Sequence, residues 1–325
     1  MKLGTTDGEK MRVKSLFLFL TLTALASACK PAETGDEKAE SLARAETDGA
    51  KQARSATGAS PALVLGQAAE QALKPDKSPS KSLYGYYVGQ FIAEKMNDQK
   101  SPTYQNKINI SIDSVKNTQL IGHSVVAGNL RPFSGTISKT KNGFSASVKE
   151  PGDNQYDGVF SFVVSADGER LKGTWTANDK SLAVSSRSYD LEKKGFRYDP
   201  KLSLDLNTNT QLFSSQTEMN DSSHKAEAIT PDAGKINASV TLLSAKDVEN
   251  MYKRDLEVMR NAIYARHGYS FQNRQMRYLF DQFVDWYIPV SIDVTKDLTD
   301  LEQKNIQLIK RYENHAVAYY DRFGR

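Results

Sequence analysis

Phe133-Ser134-Gly135-Thr136-Ile137-Ser138 and Phe144-Ser145-Ala146-Ser147-Val148-Lys149, joined through Lys141-Asn142-Gly143, are the stretch on which the fold turns. In each run every second residue is apolar or small and its neighbours are polar, which puts the two kinds on opposite faces of a strand. Asn142-Gly143 supplies the positive φ of a tight hairpin turn between them. The same grammar extends in both directions. Ile108, Ile110 and Ile112 alternate with Asn109, Ser111 and Asp113. Phe160-Ser161-Phe162-Val163-Val164 and Leu171-Lys172-Gly173-Thr174-Trp175 flank the turn dipeptide Asp167-Gly168, and a last run holds Tyr189 and Leu191. About eight short strands between Tyr84 and Phe196 make an antiparallel meander with one wet and one dry face. A closed up-and-down barrel and a two-sheet sandwich both accommodate that count. Trp175 reads as a core plug, since large aromatic rings mostly serve packing. His123 shares parity with Ile121 and Val125 and could point inward, where a lone histidine is usually a satisfied core residue. Gly173-Thr174-Trp175 faintly resembles the Gly-x-Trp of lipocalins, but it lies on the penultimate strand, so no lipocalin function follows.

Upstream of this block the texture changes. From Lys30 to Leu83 the 325-residue chain has no aromatic residue, and Ala, Ser, Lys and Glu dominate. Such a segment buries too little apolar area to offset its ordering entropy and reads as a flexible tether over 29–82, with at most a short helix around Ala62 to Leu73. As a random coil of about 50 residues it spans roughly 40 Å. The single cysteine, Cys29, excludes an internal disulfide and a cysteine-based zinc site. Before it come the basic start Met11-Arg12-Val13-Lys14, the apolar run Leu16 to Leu25 and the small residues Ala26-Ser27-Ala28, the three regions of a secretory signal peptide over 1–28. Asp7 and Glu9 suit export poorly, so Met11 is the expected start. A cysteine directly after Ala-Ser-Ala resembles the bacterial lipobox, which implies a chain anchored in a membrane through a lipidated Cys29. Lys30 in the next position, by resemblance to enterobacterial sorting, implies the outer membrane.

Downstream, Asp199 to Val240 is rich in Asn, Ser, Thr, Asp and Lys and reads as a linker (199–240). Within it, Leu202-Ser203-Leu204-Asp205-Leu206 has the alternation to add one strand to the barrel's rim. The two folded regions are expected to be independent units. Beyond it the period becomes helical. Ser244 caps a helix whose stripe of Val248, Met251, Tyr252, Leu256, Met259 and Ile263 ends at Gly268. Asn273 caps a second helix with Met276, Leu279, Phe280 and Phe283. Thr299-Asp300-Leu301-Glu302 is a capping box that opens a third. The fold class is therefore α+β and multidomain: an antiparallel β-barrel or sandwich (83–198) followed by a small three-helix domain (241–325).

Arg260-Asn261-Ala262-Ile263-Tyr264-Ala265-Arg266-His267-Gly268, with Trp286-Tyr287 some twenty residues later, resembles the YARHG family of small C-terminal domains in exported bacterial proteins. The resemblance covers about Leu242 to Tyr320. Arg260, Tyr264 and His267 share a helix face, with Asn261 beside it. A structural role is expected for Arg260, Asn261, Tyr264, Gly268 and Asn305, with Arg260 and Asn261 bonding loop carbonyls around Trp286. Arg266 and His267 at the helix end are expected to be exposed and, with Trp286 and Tyr287, to touch a partner.

The chemistry of the chain points away from several functions. Formal charge is +4, or +2 without residues 1–28, and no basic run exists to serve a nucleic acid. There is no Gly-x-Ser-x-Gly and no His-Glu-x-x-His, and His123, His224, His267 and His315 share no ligand spacing. No catalytic residue, metal site or cofactor is assigned. The sequence implies a lipid-anchored protein whose partners are the membrane, through Cys29, and a cell-envelope polymer or protein. A carrier of a small apolar ligand in the barrel and an envelope enzyme are the alternatives.

Overall fold

The computed structural model describes residues 81–100, 102–206 and 229–318. Cys29, the segment leading to it, most of the tether and His224 lie outside the described residues. Eight strands follow one another: β1 (Gly85–Met96), β2 (Gln105–Lys116), β3 (Gln119–Val126), β4 (Asn129–Thr140), β5 (Gly143–Lys149), β6 (Gly158–Ser165), β7 (Arg170–Ala177) and β8 (Val184–Lys194). Each pairs antiparallel with the next, and β8 returns to β1, so the sheet closes into a barrel. Closure removes both sheet edges and decides against the sandwich. The β4–β5 hairpin turns at Lys141 and Asn142. It is Gly143 (φ +143) that takes the positive φ there. A Cβ at that position would come within 2.1 Å of Val164 O.

The barrel interior is filled by its own side chains. Phe91, Phe133, Phe160, Trp175 and Tyr189 form one aromatic cluster, with Phe133 5.7 Å and Phe91 6.3 Å from Phe160 between ring centroids. Leu83 covers one end, its carbonyl accepting from Tyr87 Oη (3.0 Å). Near the other end the buried Arg187 donates to the carbonyls of Phe91, Thr103 and Tyr104. Trp175 is the plug its size suggests, and its indole N–H donates to the buried Glu150 (3.1 Å). His123 does not point inward. Leu120 belongs to the interior cluster while Ile121 is 45 % exposed, so the odd-numbered residues of β3 face out.

The C-terminal region holds five helices among the described residues, two of them single turns: α1 (Asp232–Lys235), α2 (Ala245–Val248), α3 (Lys253–Arg266), α4 (Arg274–Phe283) and α5 (Asp300–Ala318). The one long helix expected from Ser244 to Gly268 is interrupted. Glu249 is extended and Asn250 sits at φ +62, a left-handed turn that asparagine tolerates better than most residues. The expected caps are present. Asn273 Oδ1 accepts from Gln275 N (2.9 Å) and Met276 N (3.1 Å). Thr299 and Glu302 bond reciprocally at the start of α5.

Leu202–Leu206 forms no barrel strand. It lies over the helices, and Leu204 and Leu206 enter their core with Val258, Ala262, Met276, Phe280 and Tyr287. Nor are barrel and helices joined by chain alone. Val88 on the outside of β1 packs with Ile288 and Val290. Asp281 on α4 accepts from Lys107 N (2.7 Å), and Lys107 Nζ caps the far end of that helix at Val284 O (3.1 Å) and Tyr287 O (3.2 Å). Asn109 Nδ2 donates to Pro289 O (3.0 Å), and Gly128 N donates to Ser270 Oγ (3.0 Å). His123 and Val125, on the outer face of β3, are buried as well.

Candidate functional site

The end of α3 is set by backbone geometry. Gly268 adopts φ +75, its N–H donates to Ala265 O (2.9 Å), and Tyr269 N–H donates to Tyr264 O (3.1 Å). These two bonds close a helix on a left-handed residue. Gly268 is required for a second reason: a Cβ would lie 2.3 Å from Val290 Cγ2 and 2.9 Å from Phe196 Cζ. Its carbonyl accepts from both Val290 N and Ser291 N, which fixes the strand-like segment that packs on the barrel.

This closure aims Arg266 and His267 into the protein. They are 3 % and 6 % exposed and Tyr287 is 1 %, which corrects the expectation of an exposed contact patch; only Trp286 of that set is half-buried. The covering layer is the segment Tyr198–Leu206, remote in sequence, so a helical wheel does not show it. His267 Nε2 lies 2.8 Å from Glu302 Oε2, and Tyr198 stacks on the imidazole at 4.1 Å while its hydroxyl donates to Glu302 Oε1 (3.1 Å). The Glu302 carboxyl thus gathers Thr299 N, the Thr299 hydroxyl, His267 and Tyr198. Burial works against its charge, but the hydrogen bonds from His267, Thr299 and Ser239 hold its pKa down at about 2. Arg266 Nε donates to Leu202 O (2.9 Å) and Nη1 to Ser239 Oγ (3.3 Å), with the guanidinium 5.7 Å over the Trp286 ring. Burial lowers its pKa to about 10 in spite of Glu302 and Tyr198 nearby. Trp286 Nε1 donates to Ser203 O (2.8 Å), and Asn237 Nδ2 to Pro200 O (2.8 Å). Sequence reasoning missed Asn237 and Tyr198 and read Glu302 only as a helix cap; the alternation of Leu202, Leu204 and Leu206 was the available signal for the covering segment.

The residues expected to hold the domain together make bonds within it, but Arg260 and Asn261 have other partners than expected. Arg260 Nε pairs with Glu313 on α5 (3.0 Å), not with the Trp286 loop. Asn261 Nδ2 donates within its own helix to Glu257 O (2.9 Å). Both sit on the α5 side or along the axis of α3, one step round from the loop carbonyls. Asn305 fits best. Its Oδ1 accepts from Leu243 N (2.9 Å), and its Nδ2 donates to Ala238 O and Thr241 O (both 2.7 Å). Tyr264 lies half-buried between the two helical clusters.

A second polar cluster stands on the barrel. Asp113 Oδ2 is 2.7 Å from His123 Nδ1 and Asp113 Oδ1 accepts from Ser111 Oγ (2.9 Å). The order differs from a hydrolase triad, because the hydroxyl bonds the carboxylate and the far imidazole nitrogen meets no protein partner. Among the described residues, no group of three or more His, Cys, Asp or Glu is placed to hold a metal.

Residues 234–314 match the family model of the YARHG domain. The chain carries a YARHG domain. No curated protein and no solved structure matches the chain. The domain's match contains Asn237, Arg266, His267, Trp286 and Glu302 but not Tyr198–Leu206, the segment they hold.

Proposed function

We propose that this protein is a lipid-anchored component of the bacterial cell envelope that acts as a binding module for an envelope polymer or protein. The observation that carries this reading is the YARHG domain at residues 234–314, in a chain whose sequence has a signal-peptide pattern ending at its one cysteine. Arg266 and Trp286 are spent on holding backbone carbonyls, an arrangement suited to recognition. The buried aromatic and aliphatic side chains that line the barrel interior suit a rigid support. A multiply acylated Cys29 would keep the protein on a membrane, most simply the outer one, where a single myristoyl-length chain anchors only marginally.

Two measurements on the same cells test this. Labelled palmitate should enter the wild type and not Cys29→Ser, and the wild type should fractionate with the outer membrane. The chain from Lys30 onward, freed of its anchor, should still co-sediment with purified envelope fragments. Equal labelling of both proteins overturns the anchor, and a soluble chain that stays in the supernatant overturns the binding role.

A further inference from the structure

Tyr198–Leu206 lies on the YARHG domain as a peptide lies in a receptor. The chain turns at Asp199–Leu202, and from Leu202 onward outward and inward residues alternate, with Ser203 and Asp205 exposed and Leu204 and Leu206 buried. Every polar contact from Asn237, Arg266 and Trp286 to it goes to a main-chain carbonyl. Asn237 Nδ2 reaches Pro200 O and, at 3.4 Å, Leu202 O; Arg266 Nε reaches Leu202 O; Trp286 Nε1 reaches Ser203 O. The next carbonyl, Leu204 O, passes so close to Gly234 that a Cβ there would stand 2.1 Å from it. Those four reading positions all fall inside the matched domain, and the segment they read falls outside it.

From this we infer that the YARHG domain is a receptor for extended polypeptide bearing leucine-sized residues at alternate positions, and that residues 198–206 are its resident intramolecular ligand. Donors aimed at carbonyls are blind to side-chain identity, so they supply affinity without sequence. Selectivity comes from the two apolar sites. Leu204 and Leu206 stand among Val258, Ala262, Ala265, Phe271, Leu279 and Tyr287, a lining that takes aliphatic side chains two residues apart. An envelope protein presenting such a stretch is the partner that fits; a glycan strand, which lacks both peptide carbonyls in this spacing and leucine-like branches, is not. Tyr198 adds an aromatic clasp, stacked on His267 and bonded to Glu302. A ligand held within its own chain is favoured by effective concentration, commonly millimolar for a short link, so an outside peptide meets that competition first.

The inference rests on the binding-module reading and is tested separately from it. The probe is a fluorescein-labelled synthetic peptide of residues 198–206, followed by anisotropy. The receptor is the chain from Lys30 onward, either wild type or with Leu204→Ser and Leu206→Ser to release the resident segment. The peptide should bind the released chain at least ten-fold more tightly than the wild type. A peptide carrying serine in place of Leu204 and Leu206 should fail to bind, and Trp286→Phe in the released chain should weaken binding several-fold. If circular dichroism shows that the double variant loses its helices, Leu206→Ala provides a milder release and the same comparison. A folded released chain that binds the peptide no better than the wild type overturns the proposal, as does equal binding of the serine peptide. Co-sedimentation of the wild type with envelope fragments, run in parallel, reports on the module reading alone; sedimentation without peptide binding overturns the groove only.

Discussion

Replacing His267 by alanine removes the side chain that ties the end of α3 to the start of α5. Glu302 is fully buried and loses one of its closest donors, the imidazole at 2.8 Å, together with the ring on which Tyr198 stacks. Leaving a buried hydrogen-bonding group without one of its partners costs about 1–3 kcal/mol, and more when that group is charged. Thr299 and Tyr198 still bond the carboxylate here, so the expected loss is roughly 2–4 kcal/mol, of the order of one unmatched buried group and some packing. For a domain of this size that corresponds to roughly 10–25 °C in melting temperature. The chain has two tryptophans, Trp175 in the barrel and Trp286 in the helical domain, so a Trp175→Phe background makes fluorescence report the helical domain alone. Asn261→Ala in the same background removes one bond to a carbonyl of its own helix, for about 0.5–1.5 kcal/mol. A loss below about 0.5 kcal/mol for His267→Ala, the level of an ordinary surface substitution, refutes the reasoning. So does a larger loss for Asn261→Ala than for His267→Ala.

Three further outcomes follow from the geometry. Gly268→Ala should cost roughly 2–4 kcal/mol, about 1–2 for a left-handed residue with a Cβ and the rest for the 2.3 Å approach to Val290, and denaturant melts of the helical domain will show it. Asn305→Leu should be as damaging as Asn305→Ala, at about 2–4 kcal/mol, because volume is irrelevant when Leu243 N, Ala238 O and Thr241 O lose their shared partner; a Leu variant of wild-type stability would contradict this. Burial pushes the Glu150 carboxyl up to about 7 despite the bonds from Trp175 and Gly158, so the folded barrel prefers it protonated. That contribution is fully present below the unfolded value near 4.5 and is lost as pH rises through 7, so Glu150→Gln should gain on the wild type between pH 5 and 8, measured by Trp175 fluorescence melts.

The barrel was legible because its signals are local. Alternation fixes which residues face in, the turn dipeptides fix where strands end, and eight strands are enough to close. His123 defeated this reading by the same logic that served elsewhere: Ile121 looks like a core residue and is not, so parity taken from it turned the strand over. The helical domain was legible at its caps, since Asn273, Thr299 and Gly268 act within a turn of their own helices. Its motif was not. The partners of Arg266 and His267 are Leu202 and Glu302, 64 and 35 residues away; the first lies in a segment whose alternation of leucines looks like one more barrel strand, the second at the start of α5. A period of two marks an extended chain with one buried face, whatever it is buried against.

The position of Arg266 shows why the groove is built from these residues and no others. A guanidinium this buried has five donors to satisfy, and a direct carboxylate partner would satisfy them most strongly. Here its two assigned bonds go to a backbone carbonyl of the segment and to Ser239, with an indole ring alongside; the charge of Glu302 acts through space because that carboxylate is already committed to His267, Thr299 and Tyr198. The arginine therefore keeps a strong donor directed at main chain, while the buried negative charge that makes its burial tolerable is held one layer back. Lysine would present a single point charge without the planar face that lies over Trp286. Histidine plays the complementary part, holding Glu302 in place from the end of the same helix. Two adjacent residues, pointed by one left-handed glycine, thus divide the work between the groove and the charge that supports it.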